Sequence, residues 1–325
     1  LFEIFFIAVT SLPFIYYGPF ANLRKNLVGT AMSTMTKRYI ATFFLSDERI
    51  TNILASNQTE PTVAEVQSAE DETFTSVNLI EQNEKDINIP TKQDDTLELF
   101  KIEGKKSKGY LLVIKDPTRV RVGYTNKLKV EGQKTSEMAK AHNAVAAING
   151  GSFFDQAADG SWVGTGGLPG GIIMKDGEII FSDRKNNDQS GDTIALTYDG
   201  KLIIGSNSIN DLKKKNVRDA ICFSPTLIVN GKRANYDNQG LNPRTAIAQR
   251  KDGAILFLVM DGRQAQSVGA SLDEVTNILL QQNAWNAINL DGGSSTTMYY
   301  NGEIVNNPCD PYGERSIATS LYVEP

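Results

Sequence analysis

The sequence predicts an α+β fold in which one sheet-rich domain with few helices fills residues 97–325, preceded by an N-terminal membrane helix and a linker. Three observations predict it. From Leu97 onward, short apolar and β-branched runs (GYLLVIKD, AVAAING, GGIIMKDGEIIF, TIALTYDGKLIIG, TLIVNGK) are punctuated by Asp-Gly and Asn-Gly turns, the pattern of strands and hairpins. Helical periodicity in this region is sparse and is clearest from Ser271 to Gln282. Residues 1–96 differ in texture, with an apolar run followed by a long acidic, polar stretch.

Residues 1–20, LFEIFFIAVTSLPFIYYGPF, carry one charge, Glu3, and end in Tyr16, Tyr17 and Phe20, so they read as a single-pass transmembrane anchor. The run opens on Leu1 rather than Met, and flanking residues are expected ahead of it. No small-residue cleavage pattern follows it, which argues against a signal peptide. Arg24, Lys25, Lys37 and Arg38 would by themselves draw the downstream chain toward the cytoplasm. The substrate chemistry argued below favours the opposite side. Residues 21–55 place Ile40, Phe43, Phe44, Ile50, Ile53 and Leu54 at spacings near three and four, predicting a helical stalk whose apolar face offers a surface for an oligomer, a state on which the sequence is silent. Residues 56–96 read as a flexible linker, because their scattered apolar side chains cannot repay the entropy of ordering. Such a coil spans about 35 Å root-mean-square, enough to hold a domain clear of a bilayer.

Charge narrows the partners. Residues 56–95 hold ten acidic side chains against Lys85 and Lys92, a local net of −8 that leaves +3 for the rest of a chain whose total is −5. That remainder lacks the basic excess that nucleic acid requires. Cys222 and Cys309 match no zinc pattern and read as free thiols, and the sole histidine, His142, reads as a surface or helix-end residue. No metal or cofactor is expected.

Within the domain, Ser271 and Glu274 form an S-x-x-E capping signature, after which Leu272, Val275, Ile278 and Leu279 share one helical face. This helix separates AILFLVMDG (Ala254 to Gly262) from AWNAINLDGG (Ala284 to Gly293). A strand-helix-strand crossover makes the two strands parallel and brings Asp261 and Asp291 to one sheet edge. A third run, AVAAINGGSFF, ends in Asn149-Gly150-Gly151 and is expected to converge there. Isolated Asp176-Gly177 and Asp199-Gly200 read as plain turns. Asp291 differs, because Gly292, Gly293, Ser294, Ser295 and Thr296 follow it as a chain of small donors suited to cradling an oxyanion. The spacing is not that of a Walker loop. Arg244, Arg263 and Arg315 are the candidate cations for a phosphate.

At these residues the chain resembles the phosphodiester glycosidase family. The matching motifs, in order, are NGGSFF, FSPTLIVNGK, NPRTAIA, LVMDGR, NLDGGSSTTM and VNNPCDPYGERSIA, which together span most of residues 97–325. The family often has Gly where Ser224 stands and Ser where Cys309 stands. The resemblance implies hydrolysis of a sugar-1-phosphodiester at its glycosidic C–O bond, releasing sugar and a phosphomonoester. Ordinary glycosidases protonate a poor alkoxide leaving group with a second carboxyl, whereas a phosphate departs unaided. On that reading Asp291, Asp261 and Glu314 are the catalytic carboxylates, with Asp291 first. Asn149, Gly150, Gly151, Arg244, Thr245, Arg263, Gly292, Gly293, Ser294, Ser295 and Arg315 bind substrate. Which carboxylate is nucleophile, base or orienter stays open. The expected substrate, a glycan phosphodiester of an envelope or teichoic-type polymer, places the domain outside the cell membrane. Two rivals are a metal-dependent phosphodiesterase that breaks the P–O bond and a membrane-tethered glycan-binding module without turnover; a single histidine weighs against the first.

Overall fold

The computed structural model describes residues 13–21, 23–24, 27–28, 39–55, 96–104, 107–155, 165–237, 239–310 and 312–325. The chain divides into two compact units, residues 1–71 with 237–242, and residues 72–236 with 243–325.

In the first unit, Tyr16, Val28, Ala41, Leu45, Ile50 and Ile53 form a small buried cluster, and the Tyr16 hydroxyl donates to the Ile40 carbonyl at 2.6 Å. Where the sequence suggests one stalk helix, the described residues from Tyr39 to Ala55 form separate short helices, Tyr39–Thr42 and Asp47–Ala55. The reason is local. Ser46 caps the second helix by accepting from the Arg49 N–H at 3.3 Å, which starts a new helix rather than continuing the first. Among the described residues no helix is long and apolar enough to cross a membrane. Residues 1–12, most of the stretch read as an anchor, and residues 56–95, nearly all of the 56–96 linker, lie outside the described residues.

The second unit is built from antiparallel sheets. A seven-stranded sheet runs in the spatial order Leu97–Glu103, Lys108–Ile114, Ile255–Met260, Arg244–Arg250, Ala284–Leu290, Thr226–Val229, Lys232–Arg233. One five-stranded sheet has the order Leu202–Asn207, Gly191–Thr197, Val217–Ile221, Ile172–Lys175, Glu178–Ser182, and another has Glu303–Ile304, Met298–Tyr300, Ala146–Asn149, Thr319–Val323, Val120–Tyr124. The main core lies where the three meet, with Ile247, Phe257 and Ile288 against Ile148, Leu321, Ile194 and Leu196. The other face of the large sheet carries Ala246, Leu256, Leu258 and Ala287 against Leu272, Val275 and Leu279 of helix Leu272–Gln281. Covered on both faces, the Ile255–Met260 strand is apolar throughout rather than alternating.

Helix Leu272–Gln281 starts as expected, with Ser271 Oγ accepting from the Glu274 N–H at 3.1 Å. The other half of the predicted capping box is spent elsewhere, because the Glu274 carboxylate takes the Ser107 hydroxyl. Strands Ile255–Met260 and Ala284–Leu290 do point the same way, but they are not neighbours. Arg244–Arg250 runs between them, antiparallel to both, with Thr245 opposite Val259 on one side and Leu290 on the other. Their carboxyl ends thus flank its amino end, two inter-strand spacings or about 10 Å apart. The Ala146–Asn149 strand belongs to a different sheet and reaches this edge from across the core. The plain turns behave as read, Asp176-Gly177 holding φ of 51° and 82° between paired strands.

Candidate active site

Asn149 joins the sheets at the site. Fully buried at the end of its strand, it donates from Nδ2 to the Asp291 carbonyl at 2.5 Å. Its Oδ1 accepts from Thr245 Oγ1 at 2.7 Å and from the Thr297 N–H at 3.1 Å. The Asp291 N–H in turn donates to the Gly150 carbonyl at 3.2 Å. Asn149, Thr245 and Asp291 are therefore brought together. Gly150 and Gly151 serve differently from expectation. Their N–H groups donate to the Thr319 carbonyl and hydroxyl, both at 2.9 Å, rather than toward a ligand. A Cβ at Gly150 would stand 2.5 Å from Thr319 Oγ1, and one at Gly151 2.4 Å from the Cys222 carbonyl oxygen, so these glycines permit close packing.

The loop after Asp291 is a tight 3-10 turn over Gly293–Ser295, with Gly293 at φ +62°. Several of its amides are consumed within the fold. The Gly292 N–H donates to Asp291 Oδ1 at 3.0 Å, that of Gly293 to the Pro243 carbonyl at 3.0 Å, and that of Ser295 to the Gly292 carbonyl at 3.2 Å. These amides do not form the backbone cradle that the sequence suggests. The hydroxyls of Ser295 and Thr296 are buried; that of Thr296 meets no hydrogen-bond partner among the described residues, and that of Ser295 lies beside the Asp291 carboxyl. The guanidinium of Arg263 lies against Gly293, where a Cβ would be 3.2 Å from Nη1. Buried Arg244 donates from Nε to the Ala270 carbonyl at 3.3 Å. Burial first, and the like charge of Arg263 second, bring its pKa down to about 10, so it stays cationic at neutral pH.

Arg315 completes the cluster. It donates from Nη1 to Ser294 Oγ at 3.3 Å, pairs through Nη2 with Asp155, and lies 5.0 Å over the Phe153 ring. Nothing local in the sequence marks out Asp155, which directly follows the NGGSFF run. Burial is the main cause that pushes the Asp291 pKa up to about 6, and the negative charge of Asp155 adds to it. The Ser295 hydroxyl, the Arg315 charge and the Gly292 N–H pull the other way. Solvent still reaches part of the residue, but its carboxyl is set among protein atoms.

Two predicted carboxylates have other surroundings. Asp261 Oδ1 accepts from Asn306 Nδ2 and from the Asn307 N–H, both at 3.0 Å, and its carbonyl accepts from Ser267 Oγ at 2.7 Å. Burial raises its pKa, with the bonds from Asn306 and Asn307 opposing. It braces two loops at the sheet edge. Glu314 accepts from Ser136 Oγ at 2.5 Å and the Ser136 N–H at 2.9 Å, capping helix Thr135–Ala141. That contact, and not the Asp291 carboxyl, accounts for its position. Glu314→Gln is expected to change kcat/KM less than about threefold while costing about 1 kcal/mol of stability, the worth of a helix cap. Steady-state kinetics with a thermal melt checks it.

Other chemistry lies apart from this edge. His142 terminates helix Thr135–Ala141 and stacks on Tyr322 at 4.4 Å, a helix-end residue as read. Cys222 and Cys309 are unbridged. Among the described residues no group of three or more His, Cys, Asp or Glu is placed to hold a metal ion. A cleft of about 550 Å³ lined by Arg250, Asp252, Asn283 and Trp285 opens at the far end of the Arg244–Arg250 strand, about 20 Å from Arg244 by strand rise. Its cations are already engaged, Arg250 with Asp252 and Lys251 3.7 Å over the Trp285 ring.

The model of the phosphodiester glycosidase family matches residues 142–324. YomE, an SPbeta prophage-derived protein of Bacillus subtilis (strain 168), is 28% identical over 218 residues, 64% of this chain and 31% of its own length. The N-acetylglucosamine-1-phosphodiester α-N-acetylglucosaminidase of Bos taurus is 40% identical over 70 residues, 22% of this chain and 13% of its own. The match therefore spans less than a third of these curated relatives. Among solved structures, the catalytic domain of the zebrafish N-acetylglucosamine-1-phosphodiester α-N-acetylglucosaminidase, auto-inhibited by its pro-peptide, aligns with a TM-score of 0.59 at 23% identity, covering 74% of this chain and 86% of that one. A putative exported protein of Burkholderia pseudomallei K96243 aligns at 0.51 and 17%, covering 67% and 74%. At such identities the structural likeness establishes the fold. The matched family model covers more than half of the sequence, including Asn149, Asp155, Arg244, Asp291 and Arg315. The chain belongs to the phosphodiester glycosidase family.

Proposed function

We propose that residues 97–325 hydrolyse a sugar-1-phosphodiester at the glycosidic C–O bond, releasing the sugar and leaving a phosphomonoester. The observation that carries this reading is a desolvated carboxyl, Asp291, with its pKa near 6, set beside Arg315 and leading a turn on which Arg263 lies. A departing phosphate is stabilised by fixed cations and hydroxyls and needs no proton from an acid. What the site must supply is negative charge at the anomeric carbon, to attack it, to activate water or to stabilise its oxocarbenium character. Asp291 in its ionised form supplies that charge, while Arg315, the hydroxyls of Ser294 and Ser295, and the Arg244–Arg263 pair form the phosphate side. The substrate we propose is a glycan phosphodiester of an envelope or teichoic-type polymer, met outside the membrane.

The pH dependence tests the assignment. Because the ionised form works and protonation sets in near pH 6, kcat/KM is expected to be flat above that value and to fall about tenfold per pH unit below it. The assay is release of free sugar from an α-N-acetylglucosamine-1-phosphodiester from pH 4 to 8. A rate that rises toward acid would instead make Asp291 a proton donor and sink the assignment.

A further inference from the structure

The reaction above leaves Asp155 with no task beyond holding Arg315. Its side chain is 1% exposed, and its Oδ2 is engaged by Arg315 Nη2. Oδ1 is buried and accepts from nothing among the described residues. A desolvated carboxylate oxygen left in that condition is costly, and a purely structural partner for Arg315 would not need to bear it. The oxygen is also well placed. Arg315 reaches Ser294, three residues past Asp291, with Nη1 while holding Asp155 with Nη2, and Phe153 stacks beneath the guanidinium. Asp155 also lies near enough to Asp291 for its charge to raise the pKa of that carboxyl.

We infer that Asp155 recognises substrate directly, its Oδ1 accepting a hydrogen bond from a sugar hydroxyl while the Arg315 it holds donates to the phosphate. One salt-bridged pair then reads both sides of the scissile bond. Arg315 spends two of the five N–H groups of a guanidinium on Ser294 and Asp155, which leaves donors for an anion. The inference rests on the function proposed above and adds a residue and a substrate group to it.

The test is a set of monodeoxy sugar-1-phosphodiesters assayed with wild type, Asp155→Ala and Asp155→Asn. In wild type one analogue, lacking the hydroxyl that Asp155 holds, is expected to lose about 10- to 100-fold in kcat/KM, because it strands a buried acceptor. Asp155→Ala is expected to treat that analogue and its parent alike, within about threefold. Asp155→Asn, which keeps the shape and an acceptor oxygen, guards against a folding failure; it is expected to show reduced discrimination and an acid limb moved to lower pH, since a negative charge near Asp291 is gone. If wild type hydrolyses the parent but both variants discriminate as wild type does, Asp155 is only a structural partner of Arg315 and the inference falls alone. If wild type hydrolyses no sugar-1-phosphodiester, the proposed function falls and takes this inference with it.

Discussion

Asp291→Asn is expected to lower kcat on a sugar-1-phosphodiester by about three orders of magnitude and, at neutral pH, to make the domain more stable. The loss follows from charge, because asparagine is the same size and keeps an oxygen for the Gly292 N–H but cannot carry a negative charge toward the anomeric carbon. The gain follows from linkage. The Asp291 pKa is raised from 3.8 to about 6, chiefly by burial, so the folded state holds its proton more tightly than the unfolded chain does. Below pH 3.8 both states are protonated and nothing is lost. As pH rises from there to about 6 the unfolded chain ionises first, stability falls, and above about 6 the full penalty of up to about 3 kcal/mol is present. Asparagine removes that penalty but also the attraction to Arg315, so a net gain of about 1–3 kcal/mol is expected at neutral pH and almost none near pH 4. Urea denaturation of both proteins at the two pH values checks the sign. A variant less stable at neutral pH would show that Asp291 is held as a stabilising ion pair with Arg315.

Asn149→Ala is expected to cost about 3–5 kcal/mol and to depress turnover with it. Three hydrogen bonds disappear at once, and the Thr245 hydroxyl, the Thr297 N–H and the Asp291 carbonyl are left behind. Water does not reach the buried Thr245 and Thr297 to replace them. The Asp291 backbone, held on one side by Asn149 Nδ2 and on the other by the Gly150 carbonyl, loses the tie that fixes its carboxyl. A lowered denaturation midpoint together with a kcat loss that persists where the variant is still folded is the expected pair of results. Full kcat in the folded variant would mean that Asn149 only holds the sheets together.

Much of this site was legible in the sequence where the signal was local. The Asp-Gly turns fixed hairpins because their φ preferences act within two residues. The Ser271 cap gave the helix, and the helix gave the common direction of the strands ending at Asp261 and Asp291. What escaped depends on partners far along the chain. That Arg244–Arg250 slots between those strands is a pairing chosen by the packed sheet, not by its own seven residues. Asp155 acquires its place from Arg315, 160 residues later, and Glu314 is drawn away by Ser136, 178 residues earlier. Gly150 and Gly151 show a different limit, because a glycine freeing an N–H for a ligand and a glycine making room for Thr319 or Cys222 look alike in sequence.

In the proposed reaction Asp291 and its arginines break the bond between the anomeric carbon and oxygen, not the bond between phosphorus and oxygen. Hydrolysis of an α-N-acetylglucosamine-1-phosphodiester in oxygen-18 water, followed by mass spectrometry of both products, reads this directly. Label is expected in the released sugar at C1, with an unlabelled phosphomonoester; label in the phosphate would mean P–O cleavage and overturn the proposed reaction.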